Sequence, residues 1–165
     1  MILVTRHHDI CAGHRVVGHE NKCRHLHGHN YRVHFTVAAP QLDALGRVVD
    51  FGFIKTALCE WLEHNWDHKM LLWTEDPLWD DLHHAMFGTE ADDSIQACHF
   101  NPTAENMARY LGEDVGPILL GGTALKLVAV VIEETRKCMA AWYHEEYAAM
   151  VIGDALKSAN AEALR

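Results

Sequence analysis

Positive charge is scarce in this 165-residue sequence: 14 Lys and Arg stand against 23 Asp and Glu, a formal net charge of -9. Such a balance implies no large basic surface for nucleic acid or anionic lipid, and a small anionic substrate would need a local Arg, Lys and His cluster working against the overall field. Long apolar runs are missing too. The run from Leu127 to Ile132 is far too short to cross a bilayer, and the opening Met1–His8 has no apolar h-region of a signal peptide. Cysteine is sparse and odd in number, with 5 residues at positions 11, 23, 59, 98 and 138, which argues against a disulfide framework and for a reducing compartment. Internal repeats and low-complexity segments are absent. The expectation is one soluble, cytoplasmic domain over 1–165, with no nucleic-acid or membrane partner and enough chain to bury a core without a covalent staple.

What is present begins with a weak strand candidate over Ile2–Ile10 and a Gly- and His-rich connection. From Tyr31, apolar Tyr31, Val33, Phe35 and Val37 alternate with Arg32, His34 and Thr36, the period of a strand with one buried face. Asp50 is placed to cap a helix over about 51–65 whose stripe is Phe51, Ile54, Leu58, Trp61 and Leu62. Residues 73–100 read as a long loop insertion with at most short helices. Thr103 is placed to cap a second helix running to Gly112 through Met107, Ala108 and Leu111. Leu125–Glu134 and Lys137–His144 then read as a β-hairpin, and 146–165 as an Ala-rich C-terminal helix. The order strand, strand, helix, helix, strand, strand predicts an α+β fold: a four-stranded antiparallel sheet with two helices on one face. Its two open edges favour joining of subunits edge to edge into a larger sheet or barrel.

Histidine is the compositional outlier, at 14 residues. His27 and His29, two apart at the entry to a strand, direct both imidazoles to one face, within reach of a single ion. Gly28 is expected to keep the space between them open. A third ligand must come from elsewhere. His14 suits, because an antiparallel hairpin returns the end of the first strand toward residues 27–29, and three protein ligands leave a position free for chemistry. On spacing alone His25 competes with His14, and Cys23 as a fourth ligand would close a structural site instead. Solvated loop histidines would give the same spacing. Cys11, Cys59, Cys98 and Cys138 read as packing cysteines.

Six ordered stretches carry a family resemblance: Ala12-Gly13-His14-Arg15, Cys23 with His27-Gly28-His29-Asn30-Tyr31, Val49-Asp50-Phe51, Asp67-His68-Lys69, Asn101-Pro102-Thr103-Ala104-Glu105-Asn106, and Glu134-Thr135. Together they resemble the 6-pyruvoyl tetrahydropterin synthase and 6-carboxytetrahydropterin synthase group of the tunnelling fold. The resemblance implies that His14, His27 and His29 hold a catalytic Zn2+, that Cys23 is the general base, that Asp67 and His68 assist proton transfer, and that Glu134 anchors the pterin ring. Of the adjacent pair Glu133 and Glu134, the second is chosen because Thr135 follows it.

The short interval Arg24-His25-Leu26 between Cys23 and His27 is similar to that of the 6-carboxytetrahydropterin synthases of queuosine and 7-deazapurine biosynthesis. It implies a zinc-dependent lyase that converts 7,8-dihydroneopterin triphosphate to 6-carboxy-5,6,7,8-tetrahydropterin with loss of triphosphate and acetaldehyde. A pyruvoyl-forming or other dihydropterin side-chain lyase is the alternative within the class. A non-catalytic, zinc-stabilised oligomer that binds a pterin or purine is the alternative outside it. The family further implies a homo-oligomer, a hexamer by resemblance, with sites between subunits.

Overall fold

The computed structural model describes residues 2–87 and 93–150. Six strands, β1 (Leu3–His14), β2 (His27–Ala38), β3 (Met70–Trp73), β4 (Ile95–Cys98), β5 (Lys126–Thr135) and β6 (Cys138–Tyr143), form one sheet in the order β4-β3-β1-β2-β5-β6. The expected four-stranded sheet is thus corrected to six. The four foreseen strands are the antiparallel ones, and β3 and β4 are added in parallel at the β1 side. Each added strand has only four residues, too short a run to display a period of two.

The β1–β2 ladder is long and unbroken, from Leu3 opposite Ala38 to His14 opposite His27. Alternation along it sorts the side chains. Ile10, Ala12, Tyr31, Val33, Phe35 and Val37 are buried, together with Val130 and Ile132 of β5, while Thr5, His7, Asp9 and Cys11 lie on the opposite, open face. Among the described residues β3 pairs with β1 only through Gly13 and His14, so the outer edge of β1 before them has no strand partner.

Helix α1 (51–65) starts where Asp50 Oδ1 accepts from the Gly52 amide at 2.7 Å, as an N-cap should. A π turn at Lys55–Cys59 interrupts it. Ile54, Leu58 and Leu62 point into the core, whereas Phe51, expected on that stripe, is exposed at the helix start. Helix α2 (Trp79–Phe87) and β4 both fall in the stretch expected to be a loop. Asp76 explains the start of α2: its Oδ1 accepts from the Leu78 amide at 2.8 Å and its carbonyl from the Trp79 amide at 2.8 Å. Its buried Oδ2 lies 3.0 Å from Arg15 Nε, tying this segment to the end of β1.

Helix α3 (104–119) begins under the Thr103 cap. It runs past the expected end at Gly112 through a π turn at Leu111–Val115. Glycine there serves packing instead of termination, because a Cβ on Gly112 would collide with the Trp142 ring. Both long helices cover the buried face of the sheet, and their apolar stripes join one core cluster with it. Helical backbone begins again at 145, and the rest of the expected C-terminal helix, 151–165, lies outside the described residues. No helix among the described residues is long and apolar enough to cross a membrane.

Candidate metal centre and the groups around it

The β1–β2 register brings His14 opposite His27 and Ala12 opposite His29. Since His14, His27 and His29 all face the core side of the sheet, each offers a ligand atom, and these atoms lie within 4.8 Å of one another. Chain reversal between the strands, not proximity in sequence, is what delivers His14. His25 does not join this group by its ring; its carbonyl instead accepts from His27 Nδ1 at 2.8 Å.

Hydrogen bonding fixes the tautomers. His14 Nδ1 lies 2.7 Å from the Pro102 carbonyl and His27 Nδ1 lies 2.8 Å from the His25 carbonyl. A carbonyl only accepts, so in the neutral rings both Nδ1 atoms carry the proton and both Nε2 atoms present lone pairs. Those two Nε2 atoms face each other at 3.1 Å. Two lone pairs at that distance repel unless a cation lies between them. Tetrahedral ligation at ~2.0–2.1 Å places nitrogen ligands about 3.3–3.4 Å apart, close to what is seen. A proton is the weaker candidate for that cation, because burial pushes the His14 imidazole below its ordinary pKa, with the neighbouring imidazoles adding to the effect, against the opposing pull of the Pro102 carbonyl and Glu134. His29 is lowered as well, chiefly by burial. The donor set therefore fits a divalent metal that takes neutral imidazole nitrogen.

Glu134 stands on β5 beside this group, its Oε1 3.4 Å from His14 Nε2 and 3.6 Å from His29 Nε2. Its neighbour Glu133 projects to the other face and pairs with His34, the opposition that adjacent strand residues require. Glu134 also lines both cavities of the site. The larger, about 1320 Å³, opens on the face that carries Cys11, Asn30, Asp67, His68 and Lys69. The smaller, about 330 Å³, holds Cys23, His19, Thr103 and Glu105.

Cys23 sits on a single turn of 3-10 helix, Lys22–Arg24, and is half-buried. Asp67 and His68 follow α1. Asp67 Oδ1 accepts from the Cys11 amide at 2.8 Å, and its Oδ2 pairs with His68 Nδ1 at 2.8 Å. Burial works against ionisation of Asp67, but those contacts outweigh it and hold the carboxyl below its ordinary range. His68 has φ 58°, the left-handed region, fixed by its amide donating to the Cys11 carbonyl at 2.6 Å. Within one chain, then, the structure gathers the three histidines and Glu134, keeps Asp67 and His68 together, and leaves Cys23 in a different cavity from that pair.

Several expectations change here. Gly28 does not keep space open between the histidines: it faces the open side of the sheet, and a Cβ on it would lie 3.2 Å from the Ala12 carbonyl. Cys59 and Cys98 are buried packing residues, and burial pushes the Cys98 thiol up to about 12, but Cys11 and Cys138 are exposed. Cys11 occupies an open-face position of β1, which the weak strand reading could not resolve. The Asn101–Asn106 stretch acts in the described chain as scaffold. The Asn101 side chain clamps Val17 by accepting from its amide at 3.0 Å and donating to its carbonyl at 2.8 Å. Pro102 supplies the carbonyl for His14, a role with no sequence signal because any residue has a carbonyl. Tyr31 was read as an apolar strand residue, yet its ring lies edge-on to His14 and His29 at 5.9 and 5.4 Å. Burial, then Glu134 and Cys23, push its phenol far above the ordinary range.

The family model described as 6-pyruvoyl tetrahydropterin synthase matches residues 3–146. Among curated relatives, the 6-carboxy-5,6,7,8-tetrahydropterin synthase of Rickettsia typhi is 38% identical over 142 residues, covering 84% of this chain and 97% of the relative. A protein of the same name from Aquifex aeolicus is 32% identical over 134 residues, covering 76% and 78%. Among solved structures, an uncharacterised Wolinella succinogenes protein superposes with a TM-score of 0.75 at 24% identity, covering 87% of this chain and 98% of the other. The Caenorhabditis elegans 6-pyruvoyl tetrahydropterin synthase does so with 0.60 at 21%, covering 87% and 96%. These structural likenesses speak for the fold, and the sequence matches for the lineage: the chain belongs to the 6-pyruvoyl tetrahydropterin synthase family.

Proposed function

We propose that this protein is a zinc-dependent 6-carboxytetrahydropterin synthase, a lyase that converts 7,8-dihydroneopterin triphosphate to 6-carboxy-5,6,7,8-tetrahydropterin with loss of triphosphate and acetaldehyde, on the route to queuosine and other 7-deazapurines. The observation that carries the metal dependence is the facing pair of unprotonated Nε2 atoms of His14 and His27 at 3.1 Å, with both Nδ1 atoms engaged by carbonyls. The choice of product rests on the name shared by the curated relatives.

His14, His27 and His29 would hold the ion, which when bound polarises the oxygens of the substrate side chain and stabilises developing negative charge. Glu134 is suited to accept paired N–H bonds from the aminopyrimidinone edge of a pterin, fixing the ring beside the histidines. Cys23 takes a proton from the side chain. His68, oriented by Asp67 through Nδ1, presents Nε2 as the complementary acid or base. Because Cys23 and Asp67–His68 line different cavities of one chain, their cooperation calls for a second copy of the chain, its Asp67–His68 facing this Cys23. The open outer edge of β1 supports such an assembly.

The test is product identification with 7,8-dihydroneopterin triphosphate, using protein of measured zinc content and reduced Cys23. The expected result is 6-carboxytetrahydropterin from wild type, and a rate about 10²–10⁴-fold lower from Cys23→Ala with zinc retained, the usual worth of a general base. A pyruvoyl product would move the protein to the sister reaction. No turnover by zinc-replete wild type would overturn the enzymatic reading.

A further inference from the structure

We propose that Tyr31 is a positioning residue of this site, its hydroxyl being the donor that holds the Glu134 carboxylate in place for the ligand. The inference deepens the reading of Glu134 as the pterin anchor and rests on it.

Tyr31 is 0% exposed, and its Oη has no hydrogen-bond partner within the described chain. A buried hydroxyl left unpaired is costly, whereas phenylalanine would fill the same space without that cost. The β2–β5 ladder runs from Ala38 opposite Lys126 to Arg32 opposite Glu133. One further step of that register sets Tyr31 opposite Glu134, and both residues face the side of the sheet that carries the histidines. Cross-strand neighbours on one face are near enough for long side chains to meet.

Glu134 Oε1 lies 3.4 Å from His14 Nε2 and 3.6 Å from His29 Nε2, yet the Nδ1–H tautomer of His14 leaves that Nε2 a lone pair and no proton to donate. Those same nitrogens are the ones a metal ion takes. With their lone pairs committed, neither Nε2 has a proton to offer a carboxylate. Glu134 then needs another donor on the core face of the sheet, and the unpaired phenol beside it is that donor. A carboxylate that accepts one bond from Tyr31 keeps its remaining lone pairs for the paired N–H groups of an aminopyrimidinone, with its plane fixed. Tyr31 touches neither the reacting bond nor the metal in this account. It acts through Glu134.

Two experiments decide the matter. In a crystal structure of the zinc-loaded protein, Tyr31 Oη should lie within about 3 Å of a Glu134 carboxylate oxygen; separation beyond hydrogen-bonding distance overturns the proposal without reference to activity. A double-mutant cycle of Tyr31→Phe and Glu134→Gln is the second, read by KM and kcat for 7,8-dihydroneopterin triphosphate, zinc content and thermal midpoint. Tyr31→Phe should retain zinc and a midpoint at or above wild type, and raise KM about tenfold or more with a smaller change in kcat. The double variant should be little worse than Glu134→Gln alone. Unchanged kinetics in Tyr31→Phe, additive losses, or a KM change that tracks lost zinc or lost stability would each sink it. If Tyr31→Phe is silent while Glu134→Gln is impaired, Tyr31 alone has been misassigned. If Glu134→Gln is itself silent, the anchor reading falls and takes this one with it.

Discussion

The histidine group and the Asp67–His68 pair are built in opposite ways. His14 is 1% exposed and is held by register on one of the longest ladders of the sheet, with its far nitrogen pinned by Pro102. The His68 side chain is 80% exposed and stands on a left-handed residue, held by its own amide donating to the Cys11 carbonyl and by Asp67 Oδ1 accepting from the Cys11 amide. One site is assembled before any ligand arrives. The other holds an imidazole outward, on a short tether, where a different surface can meet it. Metal affinity should therefore be a property of the single chain, and proton transfer a property of whatever the open face encounters.

Removing His14 should break the first region most severely. His14→Ala is expected to lose the metal and all turnover, and to lower the stability of the metal-free protein by about 1–3 kcal/mol, because the buried Pro102 carbonyl is left without a donor. Elemental analysis and urea unfolding measure both, and retained metal would point to a different ligand set. Asp67→Asn should sharpen the contrast: full metal content, an intact bond from the Cys11 amide to the remaining oxygen, and turnover reduced about 10²–10⁴-fold.

Acid should separate the two regions again. His14 and His29 bind a proton less tightly folded than their ordinary value of 6.5, chiefly through burial. Below that value the unfolded chain binds more protons at these sites than the folded one, so their effect on metal-free stability is absent above pH 6.5 and destabilises as pH falls through the window beneath it. Urea midpoints between pH 5 and about 7 should fall toward acid. Asp67, held below its ordinary range, contributes in a lower window, its stabilisation being lost only as pH drops past the usual carboxylate values. The smallest change is expected from His68→Gly: relief of a left-handed residue is worth roughly 1–2 kcal/mol and glycine's extra unfolded freedom opposes it by 0.5–1 kcal/mol, so stability should shift by about 1 kcal/mol or less. Turnover should nevertheless collapse.

The same contrast governs how far the sequence could be read. Alternation from Tyr31 onward, the Asp50 and Thr103 caps and the stripe Ile54, Leu58, Leu62 are local patterns, and each appears in the structure where it was expected. The strands Met70–Trp73 and Ile95–Cys98 were missed because their pairing is parallel and brief, set by contact with the end of β1 and not by their own composition. Helix α2 is one of the short helices allowed for residues 73–100, but Pro77 and the acidic residues hide its bounds, and Asp76 makes its start. At the site, the histidine spacing leaves His25 in competition, and the return of an antiparallel hairpin favours His14, the residue that the register brings to His27 and His29. Carbonyls of Pro102 and His25 have no signature at all. Tyr31 reads as one more apolar position until its hydroxyl is found unpaired.

The ladder that pairs Leu3 with Ala38 through His14 with His27 also bears on how such a chain tolerates change in length. Residues 15–26 leave the sheet and return to it between two candidate ligands, so a change of length there leaves the strand register intact, although Arg15, Val17 and the His25 carbonyl tie the excursion to Asp76, Asn101 and His27. A single residue gained within either strand would instead turn every imidazole beyond it to the opposite face. A change of length in the span carrying Cys23 would move the thiol without shifting the three histidines. Placement of the three imidazoles and placement of the Cys23 thiol are thus separable, a freedom that lies in the connection and leaves the register of the sheet as it is.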